Sequence, residues 1–253
     1  MSSNVLLYEV KDQIAHITLN NPKRNLLDPP LCKALGETWE HFADDPESRV
    51  AILSANGPDF SFGADLRHRG LLKDLRKAFP PNGTKILKPI VGAVHGTVAG
   101  SGYGIAIHGT DIIYATEDTQ FIFGEAWVGI VGGIIEYTPY MPFKIAMEFY
   151  LGGQPMSGKR AYEVGLINHV TKNREDLMVE ATKMAEILRD NAPLTLKAIK
   201  YGLYKNLEPV ARKAARLAQE EFNKFIQPQL DSEDLQEGIV ALRENRKPIF
   251  KGR

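Results

Sequence analysis

Short apolar strands that alternate with helical segments constrain the fold of this chain more than any other feature. Strands are predicted over residues 5–10, 13–19, 50–54, 90–94 and 111–115. A helical pattern over residues 31–44, opened by Pro29-Pro30, connects the second strand to the third. Strands joined through a helix run parallel, because the chain must return to the same end of the sheet. The sequence therefore predicts an α/β fold around a parallel sheet.

The second half of the chain is predominantly helical. Amphipathic helices are predicted over residues 175–190, 193–205 and 209–226, with one further short strand over 165–170. The charged and polar stretch 67–85 predicts a short helix followed by a mobile loop. Helices therefore follow the strand-rich part of the chain.

Composition excludes several classes of protein. Lys+Arg and Asp+Glu both number 31 in 253 residues, so the zero net charge argues against a nucleic-acid or membrane-surface footprint. The lone cysteine, Cys32, allows no internal disulfide, and no apolar run approaches the roughly 20 residues that span a bilayer. The N-terminus shows no signal-peptide pattern. We therefore expect a cytoplasmic protein.

Two glycine-containing stretches, "FSFGADL" (60–66) and "AGSGYG" (99–104), each lie where a strand gives way to a helix. The second is not a dinucleotide fingerprint, because four residues separate the strand from the glycines and the third glycine comes one place early. N–H groups in the first turn of a helix have no intrahelical partner, and small residues let a ligand approach them. Two such places would form an oxyanion hole. The alternative is that the glycines serve only tight turns and close packing.

Three ordered blocks resemble the crotonase superfamily of enoyl-CoA hydratases and isomerases. They are "FSFGADL", "KPIVGAVHGTVAGSGYGIAI" (88–107) and "DIIYATEDTQFIFGEAWVGIVGG" (111–133), and the likeness covers nearly the whole chain. The resemblance implies a ββα-repeat spiral core, assigned to residues 1–195, and a C-terminal helical trimerisation region, assigned to residues 196–253. It also implies a homotrimer or homohexamer.

The resemblance further implies an acyl-CoA thioester as substrate, with no prosthetic group and no metal. Its carbonyl oxygen would lie between the backbone N–H groups of Ala64 and Ser101, with Glu125 as the acid/base. An acyl-carrier-protein substrate is the alternative. Residues expected to line the substrate site are Phe62, Gly63, Asp65, Leu66, Gly100, Gly102, Trp127 and Gly133.

The chain departs from the hydratase pattern at one of two expected glutamates. The position three residues after Ser101 is Gly104, or Ile105 if the register slips, and neither transfers a proton. Glu125 fills the other position and has apolar neighbours, which raise a carboxyl pKa. A single acid suits moving a double bond from the 3,4 to the 2,3 position, because one base removes the C2 proton and returns it at C4. The resemblance thus favours a Δ3,Δ2-enoyl-CoA isomerase.

Other functions stay open on the sequence alone. A hydratase-like enzyme, a dehydratase, a decarboxylase or a C–C hydrolase would need a second group, for which Glu136 and His68 are the candidates. The CoA phosphates would meet Arg67, Arg69 or Lys73, although a solvated basic face explains these residues equally well. A catalytically silent paralogue that binds acyl-CoA or a partner protein is the alternative from another class.

Overall fold

The computed structural model describes residues 3–68, 71–81, 85–130, 140–221, 224 and 227–253. The chain divides into two compact units. The first comprises Met1–Ile122 and Met156–Asn206, and the second comprises Phe123–Pro155 and Leu207–Arg253. The predicted boundary between residues 195 and 196, which separates a spiral core from a trimerisation region, is a different division and stays a prediction.

The strands of the first unit form two sheets. A six-stranded sheet has the order β1-β2-β3-β4-β6-β9, in which β1 and β2 are antiparallel and every later pair is parallel. A three-stranded sheet has the order β5-β7-β8, with β5 parallel to β7. The strands are β1 (Leu6–Lys11), β2 (Ile14–Leu19), β3 (Val50–Ala55), β4 (Ile90–Val94), β5 (Thr97–Ala99), β6 (Ile112–Thr116), β7 (Gln120–Ile122), β8 (Met156–Ser157) and β9 (His169–Thr171).

Helices connect these strands and dominate the later part of the chain. They are α1 (Pro29–Asp44), α2 (Leu71–Ala78), α3 (Ser101–Gly109), a 3₁₀ turn (Glu125–Trp127), α4 (Phe143–Gly152), α5 (Gly158–Glu163), α6 (Arg174–Asp190), α7 (Pro193–Glu221), α8 (Gln227–Leu230) and α9 (Glu233–Arg243). No helix in the described part of the chain combines the length and apolarity that crossing a membrane requires.

The long connecting helices form for local reasons that the sequence displays. Asp28 caps α1 by accepting a hydrogen bond from the N–H of Leu31, and prolines occupy the first helical positions. Asn173 caps α6 in the same way through the N–H of Asp176. Leu177, Ala181 and Ala185 of α6 then pack against the buried faces of β3 and β4. This packing covers one face of the parallel sheet.

The predicted α/β architecture is confirmed, and the strand over residues 90–94 has the predicted ends. The helical character predicted over residues 193–205 and 209–221 is confirmed, but the predicted break between the two helices is wrong, because a single helix, α7, runs 29 residues through Pro209. Proline removes one backbone hydrogen-bond donor. The helix continues through it, because helix formation is cooperative and the hydrogen bonds on both sides compensate for the one that is missing. Strands β5 and β8 were missed because three and two residues carry no readable alternation.

Two buried lysines fasten the amino ends of the sheet strands to helices. The Lys88 ammonium donates to the carbonyl oxygens of Phe42 and Asp45 at the end of α1. The Lys200 ammonium, from α7, donates to the Lys88 carbonyl oxygen and to Asp111 Oδ2, both at 2.7 Å. Asp111 also accepts the N–H of Ile90, so β4, β6 and α7 meet at one carboxylate. Burial lowers the pKa of both lysines, which opposes their charged forms.

Replacing Lys200 with methionine therefore destabilises the protein, because the Asp111 carboxylate, only 16% exposed, is left without its cation. We expect the Lys200→Met variant to lose about 3–5 kcal/mol of unfolding free energy, measured by urea denaturation. Lys183→Met is the matched control, because Lys183 forms an exposed pair with Glu180 and its loss leaves the urea midpoint unchanged. Equal midpoints for the two variants would contradict the anchoring role of Lys200.

Candidate functional site

The stretch that carries Ala64 runs between two neighbouring backbones. On one edge, Ser61 accepts the N–H of Ala99 at 2.9 Å and donates its own N–H to Thr97 at 3.2 Å. On the other edge, the Gly63 carbonyl accepts the N–H of Leu27 and the N–H of Asp65 donates to the Leu27 carbonyl. The Ala64 N–H lies between those two bonds and therefore faces away from Leu27. It donates to no acceptor within the described residues.

Ser101 is the first residue of α3, a nine-residue helix. Its N–H has no intrahelical acceptor, since the first N–H groups of every helix lack one. The preceding residue, Gly100, has φ 49° and donates its own N–H to the Ile122 carbonyl in β7. The helix dipole and the unpaired N–H groups together favour negative charge at this end of α3.

Gly63 allows the segments that carry Ala64 and Ser101 to touch. Its φ of +83° is a conformation that other residues rarely adopt. A Cβ placed there would lie 2.6 Å from the Ala99 carbonyl oxygen and 3.1 Å from the Ser101 nitrogen. The structure therefore brings the residue before Ala64 into contact with the backbone at Ser101, and only glycine fits at residue 63.

Asp65 is a buried carboxylate that holds the chain after Ala64. The Arg67 side chain donates to both its oxygens, each at 2.7 Å, and the His68 ring lies 3.5 Å from Oδ2. The hydrogen bonds from Arg67 lower the pKa of Asp65 to about 2. Asp65 therefore stays charged. The Arg67 guanidinium, predicted to contact a CoA phosphate, is already paired with the Asp65 carboxylate.

The Phe62 ring packs against the guanidinium of Arg24, a residue that the sequence analysis did not predict to have a role. The Arg24 guanidinium lies 3.4 Å from the centre of the Phe62 ring and donates to Asp59 Oδ2 at 2.7 Å. Asp59 also accepts the N–H of Thr97 at the start of β5. Arg24 was missed because its only sequence signal is one basic residue in a turn, "NNPKRN". Leu66, two residues beyond Ala64, is 38% exposed.

Glu125 opens the 3₁₀ turn of the second unit and is half-buried, with its Oε2 atom excluded from water. Its Oε2 atom has no hydrogen-bond partner among the described residues. Burial raises the pKa of Glu125 from 4.5 to about 7, because the charged form loses its hydration. A carboxyl with this pKa both accepts and donates a proton near neutral pH, which is what general acid–base catalysis needs.

Glycine contacts hold the turn that carries Glu125. A Cβ on Gly124 would lie 3.0 Å from the Trp127 ring, and one on Gly153 would lie 2.6 Å from its indole nitrogen. Gly153 ends α4 in the left-handed conformation, at φ 63°. On the far side of the turn, the Val128 backbone lies against Gly238 of α9. The Trp127 indole thus packs against Gly124 and Gly153, although the residue remains 44% exposed.

The remaining predicted residues and the buried His95 fall into three groups. Gly104 is a buried residue of α3, three positions after Ser101, and adds no acid there. His95 is buried with its Nε2 atom 3.0 Å from the Gly57 carbonyl oxygen, so it supports a turn. Arg69, Gly133 and Glu136 lie outside the described residues. Within the described ranges, no three His, Cys, Asp or Glu side chains are placed to hold a metal ion.

Comparisons with known proteins point to one family. The family model described as "Enoyl-CoA hydratase/isomerase" matches residues 9–253. The chain is 35% identical over 251 residues to carnitinyl-CoA dehydratase from Salmonella typhi, covering 95% of each chain. It is similar to the crystal structure of carnitinyl-CoA hydratase from Mycobacterium avium, with 28% identity, full coverage of both chains and a TM-score of 0.84. A structure of methylmalonyl-CoA decarboxylase gives 27% identity, full coverage and a TM-score of 0.86.

The raised pKa of Glu125 makes its charge a source of instability. The folded protein binds this proton more tightly than the unfolded chain does, so stability is lost as the pH rises toward the folded pKa. Since one pKa unit is worth about 1.4 kcal/mol, the difference between 4.5 and about 7 corresponds to about 3 kcal/mol. We expect Glu125→Gln to be more stable than the wild type by up to about 3 kcal/mol at pH 8, and by nothing at about pH 4.

Urea denaturation at the two pH values measures this difference. Glu117→Gln serves as the control, because it makes the same substitution at an exposed position. A Glu125→Gln variant whose stability tracks the wild type at every pH would show that the carboxyl is hydrated.

Proposed function

Because the chain belongs to the enoyl-CoA hydratase/isomerase family of the crotonase superfamily, we propose that it adds or removes water at carbons 2 and 3 of an acyl-CoA thioester. Membership of the family agrees with the crotonase fold predicted from the sequence. Relatives named carnitinyl-CoA dehydratase and carnitinyl-CoA hydratase support this reaction over double-bond migration, which the sequence analysis favoured. A 3-hydroxyacyl-CoA is accordingly the first substrate to consider.

The proposal rests mainly on the raised pKa of Glu125. Water elimination needs a group that removes the proton on carbon 2 and a group that protonates the departing hydroxyl. Burial sets the pKa of Glu125 to about 7, so one carboxyl serves in both states within a turnover. The unpaired Oε2 atom leaves that carboxyl available for proton transfer.

The N–H groups of Ala64 and Ser101 are proposed to bind the thioester carbonyl oxygen. Removing the carbon-2 proton places negative charge on that oxygen, and two fixed N–H donors stabilise it. Both N–H groups lack an acceptor within the described residues, and Gly63, the residue before Ala64, contacts the backbone at Ser101. A pair of this kind lowers the barrier because the donors need no reorganisation when charge develops.

The proposed elimination balances with Glu125 as the sole acid. Its carboxylate takes the proton from carbon 2, and the electron pair of that C–H bond moves to give the enolate. The enolate then re-forms the carbonyl and makes the C2–C3 double bond while the C3–O bond breaks. The proton held by Glu125 passes to the departing hydroxyl, which leaves as water, and the carboxylate is restored. Hydration is the same sequence in reverse.

Double-bond isomerisation is the second candidate, and Gly104 is the observation that favours it. The position carries no acid, which the isomerase pattern predicts. An isomerase returns the carbon-2 proton to carbon 4 through the same enolate, so the groups proposed here would serve it without change. The choice of substrate, rather than the presence of these groups, separates the two reactions.

Several expectations from the sequence complete the proposal. The CoA moiety is substrate rather than a prosthetic group, with Arg67, Arg69 and Lys73 as candidate contacts for its phosphates. Phe62, Leu66 and Trp127 are proposed to line the acyl pocket. The homotrimer or homohexamer, the cytoplasmic location and the acyl-carrier-protein alternative stay predictions.

A panel of three thioesters tests the reaction. We expect loss of one water from a 3-hydroxyacyl-CoA, with carnitinyl-CoA among those offered, and gain of one water by the matching 2-enoyl-CoA. Products are identified by mass. Conjugation of a 3-enoyl-CoA at unchanged mass, without hydration of the 2-enoyl-CoA, would replace dehydration with isomerisation. Tight binding of all three without turnover would support the silent paralogue.

Replacing the acid separates the role of Glu125 from binding. We expect Glu125→Gln to lose about two to four orders of magnitude in kcat while the Kd of the acyl-CoA changes little, because the amide keeps the shape and transfers no proton. Glu117→Gln is the control of the same chemistry at an exposed position. Wild-type turnover by Glu125→Gln would remove Glu125 from the mechanism.

The pH dependence of elimination reports the same carboxyl. Elimination begins with Glu125 ionised, so kcat/KM rises with pH and reaches half of its upper limit near pH 7. The rate constant rises with pH because the protonated form of this base is inactive. Initial rates between about pH 5 and pH 9 measure this profile, and a midpoint near 4.5, the ordinary value for a glutamate, would contradict the buried setting of the group.

A further inference from the structure

The buried hydroxyl of Ser61 contacts the loop that carries Ala64. Its Oγ atom donates to the Asn25 carbonyl oxygen at 2.7 Å and accepts the N–H of Gly63 at 3.1 Å. The Ser61 side chain is fully buried, so water does not replace either hydrogen bond. A hydroxyl that both donates and accepts has a fixed direction. Ser61 therefore holds the Phe62–Gly63 peptide, which is one peptide before the one that carries the Ala64 N–H.

The same residue also lies against the helix that begins with Ser101. A Cβ added to Gly102 would lie 2.7 Å from Ser61 Cβ and 2.8 Å from its carbonyl and hydroxyl oxygens. The first turn of α3 thus rests directly on Ser61, and nothing larger than glycine fits between them. The Ser61 backbone adds a second connection, because it exchanges hydrogen bonds with Thr97 and Ala99 in β5.

We propose that Ser61 is a positioning residue that sets the separation and direction of the Ala64 and Ser101 N–H groups. The inference rests on the proposed function of those two amides as the oxyanion-binding pair. Ser61 itself offers nothing to the substrate, because its hydroxyl is already satisfied on both sides. Its effect is transmitted through Gly63 on one side and Gly102 on the other.

Without the Ser61 hydroxyl, Gly63 loses a hydrogen bond that restrains its backbone conformation. The Gly63 N–H and the Asn25 carbonyl both lose their partner, and Gly63 has no side chain that would keep its φ at +83°. The Leu27 N–H still holds the Gly63 carbonyl, so we expect the Ala64 N–H to shift relative to the Ser101 N–H rather than to become free. A misplacement of about 1 Å in such a site costs on the order of 10²-fold in rate.

Two substitutions and one control test the inference. Ser61→Ala deletes the hydroxyl, and Ser61→Cys keeps the shape of the side chain with a weaker hydrogen-bonding group. Ser54→Ala is the matched control, because the Ser54 hydroxyl pairs with Thr18 Oγ1 at 3.2 Å between β2 and β3. Circular dichroism and thermal unfolding establish that each variant is folded, and Ser61→Cys decides if Ser61→Ala does not fold.

The decisive measurement is the infrared C=O stretch of a bound acyl-CoA with a ¹³C-labelled thioester carbonyl. Two aligned N–H donors polarise the carbonyl and lower its stretching frequency relative to the thioester in water. We expect this lowering in the wild type and in Ser54→Ala, and its loss or reduction in Ser61→Ala and Ser61→Cys. With turnover, we expect kcat of Ser61→Ala to fall about 10- to 100-fold while KM changes by less than about threefold.

The possible outcomes separate this inference from the proposed function. A wild type that binds the labelled thioester without lowering the carbonyl frequency would overturn the oxyanion-binding pair, and the role of Ser61 with it. A wild type that lowers the frequency, with folded Ser61 variants that lower it equally, would overturn the role of Ser61 alone. Loss of the shift in the Ser61 variants, with Ser54→Ala unchanged, supports the inference whichever reaction the enzyme catalyses.

Discussion

The close approach of the Gly63 backbone to the Ala99–Ser101 backbone is the constraint around which the proposed oxyanion-binding site is built. A side chain at residue 63 would overlap the Ala99 carbonyl, and one at residue 102 would overlap Ser61. Two glycines are thus needed at one contact for different reasons, the first for a positive φ as well as for space. The proposed role of the stretch "FSFGADL" is accordingly to direct a main-chain N–H, and its side chains hold the stretch in place. Phe62 packs under Arg24, and Asp65 holds Arg67.

The turn that carries Glu125 must be stabilised by contacts other than those of the Glu125 carboxyl. Burial that brings its pKa to about 7 also disfavours its charged form, so the carboxyl opposes folding at neutral pH. The turn that carries it is held by contacts that involve little side-chain entropy, namely the Trp127 indole on Gly124 and Gly153 and the Val128 backbone on Gly238. Close packing against glycine thus stabilises the turn, while the buried carboxyl opposes folding.

Sequence reasoning reached the elements and the motifs but not the contacts between them. Hydrophobic alternation predicted the α/β architecture and the strand over residues 90–94, because periodicity is a local property. It divided α7 at Pro209, since propensity rules read proline as an end and do not weigh the cooperative helix on both sides. The resemblance pointed to Ala64, Ser101 and Glu125. The roles of Arg24, Ser61 and Arg67 depend on distances across the fold, which no spacing along the chain encodes.

A glycine at residue 104 places the same stereochemical condition on both proposed reactions. With two carboxyls, water addition divides its proton transfers between them. With Glu125 alone, the carbon-2 proton and the carbon-3 hydroxyl must leave from the same face of the thioester, because one carboxyl reaches both. Isomerisation imposes the same condition on carbons 2 and 4. The glycine at residue 104 therefore implies a single-face mechanism for either proposed reaction. Its agreement with the isomerase pattern carries less weight in the proposal than the relatives named as dehydratases.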